Sequence, residues 1–582
     1  MTLLLWLACR GHFEATTGTD LAVDCPPSSE IYLAPDHIVV ESGCGRLFFD
    51  SFSWRGSGPL RLDLLSDGHI LLPALVADGG DGVVTGVRMG GVHDLDGVET
   101  LWAARHARDA SGPSEVDEVL GASRDPEGWP LWPAPQELGQ GTSSWSMLAG
   151  RGTTSALHMG AVRASVASVS FAIGEAEVDV VWGDRGERWD VPDGTTLYLD
   201  PVRLEVGGDG AGLEAAWAGA VADEVGLAAP RGSALRRWAG EVDAAGLSEE
   251  LAVEGVPRPD LWSIGEGWQA TAGSLATSTG WPDGVSGAVA AAAPEGVELS
   301  WAPWCVDEGE PLAVEGSPAL WVKGADGQPL IVDGCLALDV TSEEGGALLA
   351  EQAVALAATG IVGVVLTRGD VGSAEGGRAV PMSGTSAFGL ALEQLGEAMP
   401  NVERILASGP WLAAVGRVER ASWGEGRAAD WSTAAARTST SRWWAVDPGA
   451  WAPTSRWERA ASVALGQVET VAAPRQGVEA ADWATVWDIR ALPWREGVIV
   501  APSRSRALAN TAFGGVPAVW ARSGGAVVHL NPTDAPLEVA PPAGASLLWD
   551  DDDGGGTLPP IGAAVWVPSG LAHGPTAAGQ LR

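Results

Sequence analysis

Side chains able to do acid–base chemistry follow a buried apolar run in the middle of the chain. The run 361–366 is unbroken and rich in β-branched residues, which predicts a strand buried on both faces. An alanine-rich stretch, 351–359, precedes it with helical spacing, and Gly360 is suited to end that helix. Parallel α/β enzymes keep their chemistry at the carboxyl ends of such strands. The functional site is therefore expected at 367–370, TRGD, where Asp370 is a candidate carboxylate.

Composition bounds the class of protein. A chain of 582 residues predicts about two to four domains. Hydrophobic residues make up 46% and charged residues 19%, which is typical of a folded chain. The formal net charge of −40 argues against nucleic acid and against an anionic membrane surface as partners. The 29 tryptophans, against 2 tyrosines and 7 phenylalanines, suit either core packing or stacking on sugar rings.

The first residues and the cysteines bear on location. MTLLLWLAC is short, apolar and resembles a bacterial lipoprotein signal with Cys9 as the lipidated residue; a disordered apolar start is the alternative. We expect pairing of Cys25 with Cys44 and of Cys305 with Cys335, which suits an oxidising compartment. A secreted or outer cell-envelope lipoprotein is predicted, with membrane contact only through that anchor. Cysteine and histidine spacing suggests no metal, and no cofactor is expected.

Four regions follow from the patterns along the chain. Residues 1–19 form the predicted signal and tether. Short alternating strands over 20–225 predict a β-sandwich that ends in a helix over 212–225. Strand-like and alanine-rich helical runs alternate over 226–500, which indicates βα units in a parallel sheet or barrel. Strands return over 501–582, which predicts an antiparallel C-terminal β-sandwich.

Six segments of the central region carry motifs at ordered spacing. They are LWSIGEGWQ (261–269), ELSWAPW (298–304), LDVT (338–341), GIVGVVLTRGD (360–370), the stretch 405–431, and RWWAVDPG (442–449). Together they resemble the motifs of the α-galactosidase (melibiase)-like glycoside hydrolases of family 36 type. That resemblance implies a (β/α)8 TIM barrel between two β-domains and, in active members, a retaining double displacement.

The retaining reaction needs two carboxylates about 5 Å apart, one nucleophile and one acid/base. Matched without gaps, the resemblance places the nucleophile at Thr367 and the acid/base at Gly426, so both expected aspartates are replaced. A threonine hydroxyl is a poor nucleophile for this chemistry without an activating base. Asp370 and Glu425 are the nearest carboxylates that could substitute.

The same resemblance indicates substrate-binding candidates. Glu266 stands at a strand end where the family has paired aspartates, and Asp447 lies in the RWWAVDPG segment. Three tryptophans, Trp268, Trp301 and Trp304, could offer faces to a sugar, although packing within the barrel is the plainer interpretation.

Three hypotheses remain open from the sequence. The first is an α-galactosidase homologue of the cell envelope that is catalytically impaired or inactive, a pseudoenzyme that binds an α-galactoside or related carbohydrate. The second is an active retaining α-glycosidase with relocated carboxylates. The third is a surface structural or protein-interaction module with no sugar pocket. The oligomeric state is left open.

Overall fold

The computed structural model describes the backbone of most residues between 30 and 568. The described ranges are 30–95, 100–104, 113–116, 125–127, 129–130, 143–145, 147–151, 155–173, 176–184, 187–208, 210–225, 227, 235–240, 243–252, 259–422, 445–447, 469–472, 499–503, 519–522, 527–530, 536–538, 544–550, 557–558 and 563–568.

The N-terminal region is built from sixteen short strands in the described residues. Most are rich in valine, leucine and isoleucine and are separated by glycine and aspartate turns, as a sandwich requires. The strands are β1 Glu30–Leu33, β2 Ile38–Ser42, β3 Gly45–Ser57, β4 Leu60–Asp67, β5 Ile70–Ala77, β6 Gly82–His93, β7 Thr100–Ala104, β8 Pro113–Val116, β9 Ser143–Trp145, β10 Met147–Arg151, β11 Ala156–Ala161, β12 Val169–Ile173, β13 Glu177–Gly183, β14 Trp189–Val191, β15 Thr196–Tyr198 and β16 Val202–Gly207.

These strands form two antiparallel sheets. One has the order β1-β2-β3-β6-β13-β12-β9, with β14 also paired to β6. The other has the order β15-β5-β16-β11-β10-β7-β8, with β4 also paired to β5. Buried side chains of both sheets, such as Phe49 and Leu204, belong to one hydrophobic core, which is consistent with the predicted sandwich.

A helix, α1 (Gly210–Val225), packs on the second sheet and leads to the central region. Trp217 of α1 is fully buried, and its indole N–H donates to the carbonyl oxygen of Ala161 at 2.9 Å. The same indole meets Trp411 of the central region edge to face, with ring centroids 5.6 Å apart. The predicted helix over 212–225 therefore forms a packed contact between the sandwich and the central region.

The central region alternates strands with helices. Its elements are β17 Leu235–Gly240, α2 Ala244–Leu251, β18 Leu261–Ile264, α3 Gly284–Ala292, β19 Gly296–Trp301, β20 Cys305–Asp307, α4 Pro311–Glu315, β21 Ile331–Val332, β22 Cys335–Ala337, α5 Glu343–Ala357, β23 Gly363–Leu366, α6 Gly369–Gly372, α7 Gly384–Ala398, β24 Glu403–Leu406, α8 Trp411–Ala414, β25 Arg420–Ser422, β26 Ala445–Asp447 and β27 Glu469–Ala472.

Eight of these strands form one parallel sheet. Its order is β26-β25-β24-β23-β19-β18-β17-β27. Parallel strands that follow one another in the chain lie side by side, and β27, the last of the eight along the chain, pairs with β17, the first. In the described part of the chain β26 pairs with β25 and β27 pairs with β17, but β26 and β27 do not pair with each other. Over the described residues the sheet is therefore not closed at that position, and the structure does not show the closed (β/α)8 TIM barrel that was expected.

The βα unit first recognised in the sequence occupies the middle of this sheet. The side chain of Ser342 caps α5 by accepting from the amide of Gly345 at 3.0 Å, and Gly360 has a positive φ of 89°. β23 follows and is paired on both sides, with β19 and with β24. Val364 and Leu366 are fully buried, as an interior parallel strand requires.

The C-terminal region returns to antiparallel strands. Five of them form a sheet of order β28-β29-β30-β34-β32, and β31 pairs with β33. No helix in the described ranges is long and apolar enough to span a membrane. The strands are β28 Ile499–Ser503, β29 Val519–Arg522, β30 Val527–Leu530, β31 Leu537–Glu538, β32 Ala545–Asp550, β33 Thr557–Leu558 and β34 Ala563–Pro568.

His158 makes the sandwich sensitive to acid. It is fully buried in β11 against Trp217, at 5.0 Å between ring centroids, and neither ring nitrogen has a hydrogen-bond partner among the described residues. Burial, assisted by the positive charge of Arg203, lowers the pKa of His158 to about 3. The unfolded chain takes up this proton near its ordinary pKa of about 6.5. The stability contributed by the neutral ring is therefore complete above pH ~6.5 and lost progressively as the pH falls from there toward 3.

We expect His158→Leu to flatten this acid dependence. At pH ~5.5 the protonation of the unfolded state costs the wild-type fold on the order of 1 kcal/mol relative to pH 8, and the variant lacks that cost. The measurement is the thermal unfolding midpoint at both pH values. His37→Gln, which alters a solvent-accessible histidine, is the control. An equal drop in midpoint for wild type and His158→Leu would contradict the assignment.

Candidate functional site

Thr367 stands at the carboxyl end of β23, and its backbone is fixed on both sides. Its amide donates to the carbonyl oxygen of Trp301 at 3.0 Å. Its own carbonyl oxygen accepts from the indole N–H of Trp304, also at 3.0 Å. The last residue of β19 and the tryptophan three positions further on therefore hold Thr367 in place.

The Glu266 carboxylate meets the Thr367 side chain. Glu266 begins a single 3-10 turn, 266–268, directly after β18. The Thr367 hydroxyl donates to one carboxylate oxygen of Glu266, and the guanidinium of Arg368 donates to the other at 3.3 Å. Because β19 lies between β18 and β23, the two strand ends are about 10 Å apart in the sheet. The turn and the length of the glutamate side chain span that gap.

Arg368 links this pair to the neighbouring disulfide. Its backbone is in the left-handed region, with φ 50° and ψ 39°, an uncommon conformation for a residue with a side chain. One guanidinium nitrogen contacts Glu266 and another lies 3.3 Å from the sulfur of Cys335. Gly369 follows where a Cβ would lie 2.1 Å from the carbonyl oxygen of Ser408, so only glycine fits there.

The disulfide itself fastens a small antiparallel sheet. β20, β22 and β21 pair in that order, beyond the end of β19. Cys305 in β20 and Cys335 in β22 are joined with an S–S distance of 2.02 Å, as expected from the sequence. Cys44 is also disulfide-bonded; Cys25, its predicted partner, lies outside the described residues, as does Cys9.

The three tryptophans proposed as sugar platforms are core residues. Trp268 is 1% exposed, and Trp301 and Trp304 are 0% exposed. Each indole N–H is bonded to a backbone carbonyl oxygen: Trp268 to Ser300 at 2.9 Å, Trp301 to Gly273 at 3.3 Å, and Trp304 to Thr367. A face with no exposed surface cannot stack on a sugar, so in this conformation they position the site from below.

A loop on the same side of the sheet is held by Asp339. Its carboxylate accepts from the amide and the hydroxyl of Thr341, at 3.0 and 2.6 Å, and from the amide of Ala379 at 2.7 Å. Burial lowers the pKa of Arg378, while Glu375, Asp339 and Glu187 favour its charged form. Because Glu187 belongs to the sandwich, the two regions share this electrostatic contact.

The remaining predicted residues are placed less completely. Asp370 is half-buried in the short helix α6, two residues beyond Arg368. Glu425 and Gly426 lie outside the described residues. For Asp447 only the backbone is described; it ends β26 and pairs with Ser422, the last residue of β25. The structure thus brings Glu266 to Thr367, and it leaves the proposed pairing of Asp370 with Glu425 a prediction.

Sequence reasoning missed the role of Arg368 and the contact between Glu266 and Thr367. The signal available was that Glu266 and Thr367 lie within two residues of the ends of buried strands, β18 and β23. The side chains of Glu266 and Arg368 remain 27% and 35% exposed, so they can exchange hydrogen bonds with a ligand. Within the described ranges no group of three histidine, cysteine or acidic side chains is arranged to hold a metal.

Solved structures give the fold a precedent. One is an α-galactosidase from Thermus thermophilus in complex with stachyose, with 16% identity, a TM-score of 0.55, and coverage of 74% of this chain and 99% of that one. The fold is that of the α-galactosidases of glycoside hydrolase family 36. AgaA from Geobacillus stearothermophilus, of that family, has 12% identity and a TM-score of 0.55 over 93% of this chain and 84% of that one. The galactosidase domain of an α-galactosidase–sucrose kinase has 13% identity and a TM-score of 0.53, covering 90% and 86%.

At such identities the likeness to the family 36 enzymes is one of fold. Neither a protein-family model nor a curated protein sequence matches the chain. The residues at the strand ends must therefore be judged by their own chemistry.

Loss of the Cys305–Cys335 disulfide should weaken this part of the family 36 fold. The two cysteines are 30 residues apart, so the double change Cys305→Ser/Cys335→Ser is expected to cost about 3 kcal/mol of unfolding free energy. A lower thermal midpoint without added reductant is the expected result. The same midpoint for the variant and the oxidised wild type would contradict it.

Proposed function

We propose that this chain is a glycoside hydrolase-like protein that binds an α-galactoside or related carbohydrate and hydrolyses it poorly. The observation that carries the proposal is the hydrogen bond from the Thr367 hydroxyl to Glu266. A hydroxyl stands at the strand end where the family resemblance expects the nucleophilic carboxylate. The nearby carboxylate is occupied by that hydroxyl and by Arg368.

The geometry argues against efficient covalent catalysis. A carboxylate nucleophile must be free to approach the anomeric carbon, and a misplacement of about 1 Å can cost a hundredfold in rate. Using Glu266 in that way would require breaking its bonds to Thr367 and Arg368. The threonine hydroxyl would need a base and a leaving-group acid placed around the same sugar.

The same groups are well suited to binding. A carboxylate, a guanidinium and a hydroxyl together provide acceptors and donors that match the hydroxyls of a sugar ring. Glu266 and Arg368 are partly exposed, and buried tryptophans fix the strand ends beneath them. The class of ligand is proposed from the similar structures, several of which were solved with galactosides such as stachyose and raffinose.

Two finer features belong to this proposal. The sequential order of eight parallel strands supports closure into a (β/α)8 barrel, with β26 meeting β27. The disulfide and the lipoprotein-like start support a secreted or envelope-anchored protein, with Cys9 as the anchor.

Binding of galactose and raffinose, measured by isothermal titration calorimetry, tests the proposal. We expect the wild-type protein to bind, and Glu266→Ala to weaken the affinity of this site by about tenfold or more, because charge-assisted hydrogen bonds to the sugar are lost. Glu351→Gln, an exposed glutamate on α5, is the matched control and should leave binding unchanged.

The outcomes separate the three hypotheses. Binding that depends on Glu266 without turnover supports the proposal. Absence of sugar binding by the wild type would contradict it in favour of a structural or protein-interaction role. Hydrolysis lost in Asp370→Ala would favour an active enzyme with relocated carboxylates.

A further inference from the structure

A groove on the N-terminal sandwich lies outside the site at the parallel strand ends. It has a volume of about 560 Å³ and is lined by β3 and by the short segment 125–127, which follows β8 in the chain. The lining residues are Trp54, Arg55, Gly56, Asp125, Pro126 and Glu127.

Arg55 organises the acidic wall of the groove. Its guanidinium donates to both oxygens of Asp184 at 2.8 and 2.7 Å, to Glu127 at 3.2 Å, and to Asp125. These bonds use donors on all three of its nitrogens. Each carboxylate keeps lone pairs that Arg55 does not engage, so the wall mainly accepts hydrogen bonds.

The segment that carries Asp125 and Glu127 is fastened to the sheet. Trp129 is 3% exposed, and Arg55 lies over its ring at 4.3 Å. One oxygen of Asp125 accepts from the amides of Glu127 and Trp129, at 2.9 and 3.0 Å. The Asp125 carboxylate is therefore held at a fixed position, and the backbone that carries Glu127 is fastened beside it.

An irregularity in β3 shapes the opposite wall. The register with β6 shifts between Arg55 and Gly56, where the strand bulges. Gly56 has φ 147°, and a Cβ there would lie 1.9 Å from the carbonyl oxygen of Val83. The consecutive residues Trp54 and Arg55 line one groove, and Trp54 is only partly buried.

We propose that this groove is a second saccharide-binding site. It takes a neutral pyranose that stacks against Trp54, and the sugar hydroxyls donate hydrogen bonds to the carboxylates of Glu127 and Asp125. An aromatic side chain beside fixed hydrogen-bond acceptors suits a ring with one C–H face and an edge of hydroxyls. The groove is separate from Glu266 and does not depend on the function proposed for that site.

The charges of the groove decide between ligand classes. The two lining carboxylates, Asp125 and Glu127, and the third partner of Arg55, Asp184, together with that guanidinium leave two negative charges, which would also attract a cationic ligand. Arg55 occupies the centre of the acidic wall, and the described residues hold no cluster arranged for a metal. The insertion of a fixed cation among the carboxylates favours a neutral ligand over a second cation.

The test is a titration of the full-length protein with raffinose by isothermal titration calorimetry. The wild type is expected to bind two molecules, Glu127→Ala and Glu266→Ala one each at the same concentrations, and the double variant none. Glu127 is 70% exposed, so its loss should not affect folding. Asp67→Asn, an exposed carboxylate in β4 of the same domain, is the matched control and should leave two sites.

Trp54→Ala should remove the same site as Glu127→Ala, and Trp54→Phe, which keeps an aromatic ring, should retain it with about a tenfold loss of affinity or less. Unchanged stoichiometry in both Glu127→Ala and Trp54→Ala would overturn the proposal. Binding of glucosamine hydrochloride at this groove without binding of raffinose would overturn it in favour of a cation site. A Glu266→Ala variant that still binds two molecules of raffinose would instead contradict only the site proposed at Glu266.

Discussion

The hydrogen bond between the side chains of Thr367 and Glu266 is the constraint on which the candidate site depends. It joins the ends of two strands that are not neighbours, because β19 lies between β18 and β23. For the two side chains to meet, β19 must end below them, and its last residue, Trp301, is bound there through its carbonyl oxygen to Thr367. Arg368 then places a positive charge on the remaining oxygen of Glu266 and reaches the disulfide. Each of these contacts restricts the movement of the next side chain, which favours ligand binding over covalent catalysis.

The sandwich and the parallel sheet support this site together. Trp217 of α1 is buried between the sandwich and Trp411, so the two regions share a core. Near the site, the buried Glu187 of the sandwich contributes to the charge environment of Arg378, in the loop that Asp339 holds. A change in the N-terminal region can therefore affect the strand ends through packing and through charge.

The sequence predicted the local elements well and the contacts between them less well. Periodicity and capping residues indicated α5 and β23, since a helix stop and a β-branched run are local signals. The Cys305–Cys335 pair followed from proximity in the chain. The Glu266–Thr367 contact could not be predicted, because it depends on the strand order and on the turn after β18, which together bring the glutamate across an intervening strand. The tryptophans were ambiguous because the residue type is the same for a packed indole and for a sugar platform, and only burial separates the two.

Turnover of p-nitrophenyl α-galactoside by the purified protein tests the central claim most directly. Release of p-nitrophenol by the wild type should be no faster than by Glu266→Gln, because the only carboxylate seen to contact Thr367 is held for binding in the described part of the site. Galactose should bind to the protein, but because the wild type releases no p-nitrophenol above that level, the assay should show no hydrolysis for galactose to inhibit. Hydrolysis by the wild type that is abolished in Glu266→Gln would contradict the account and make Glu266 a catalytic residue.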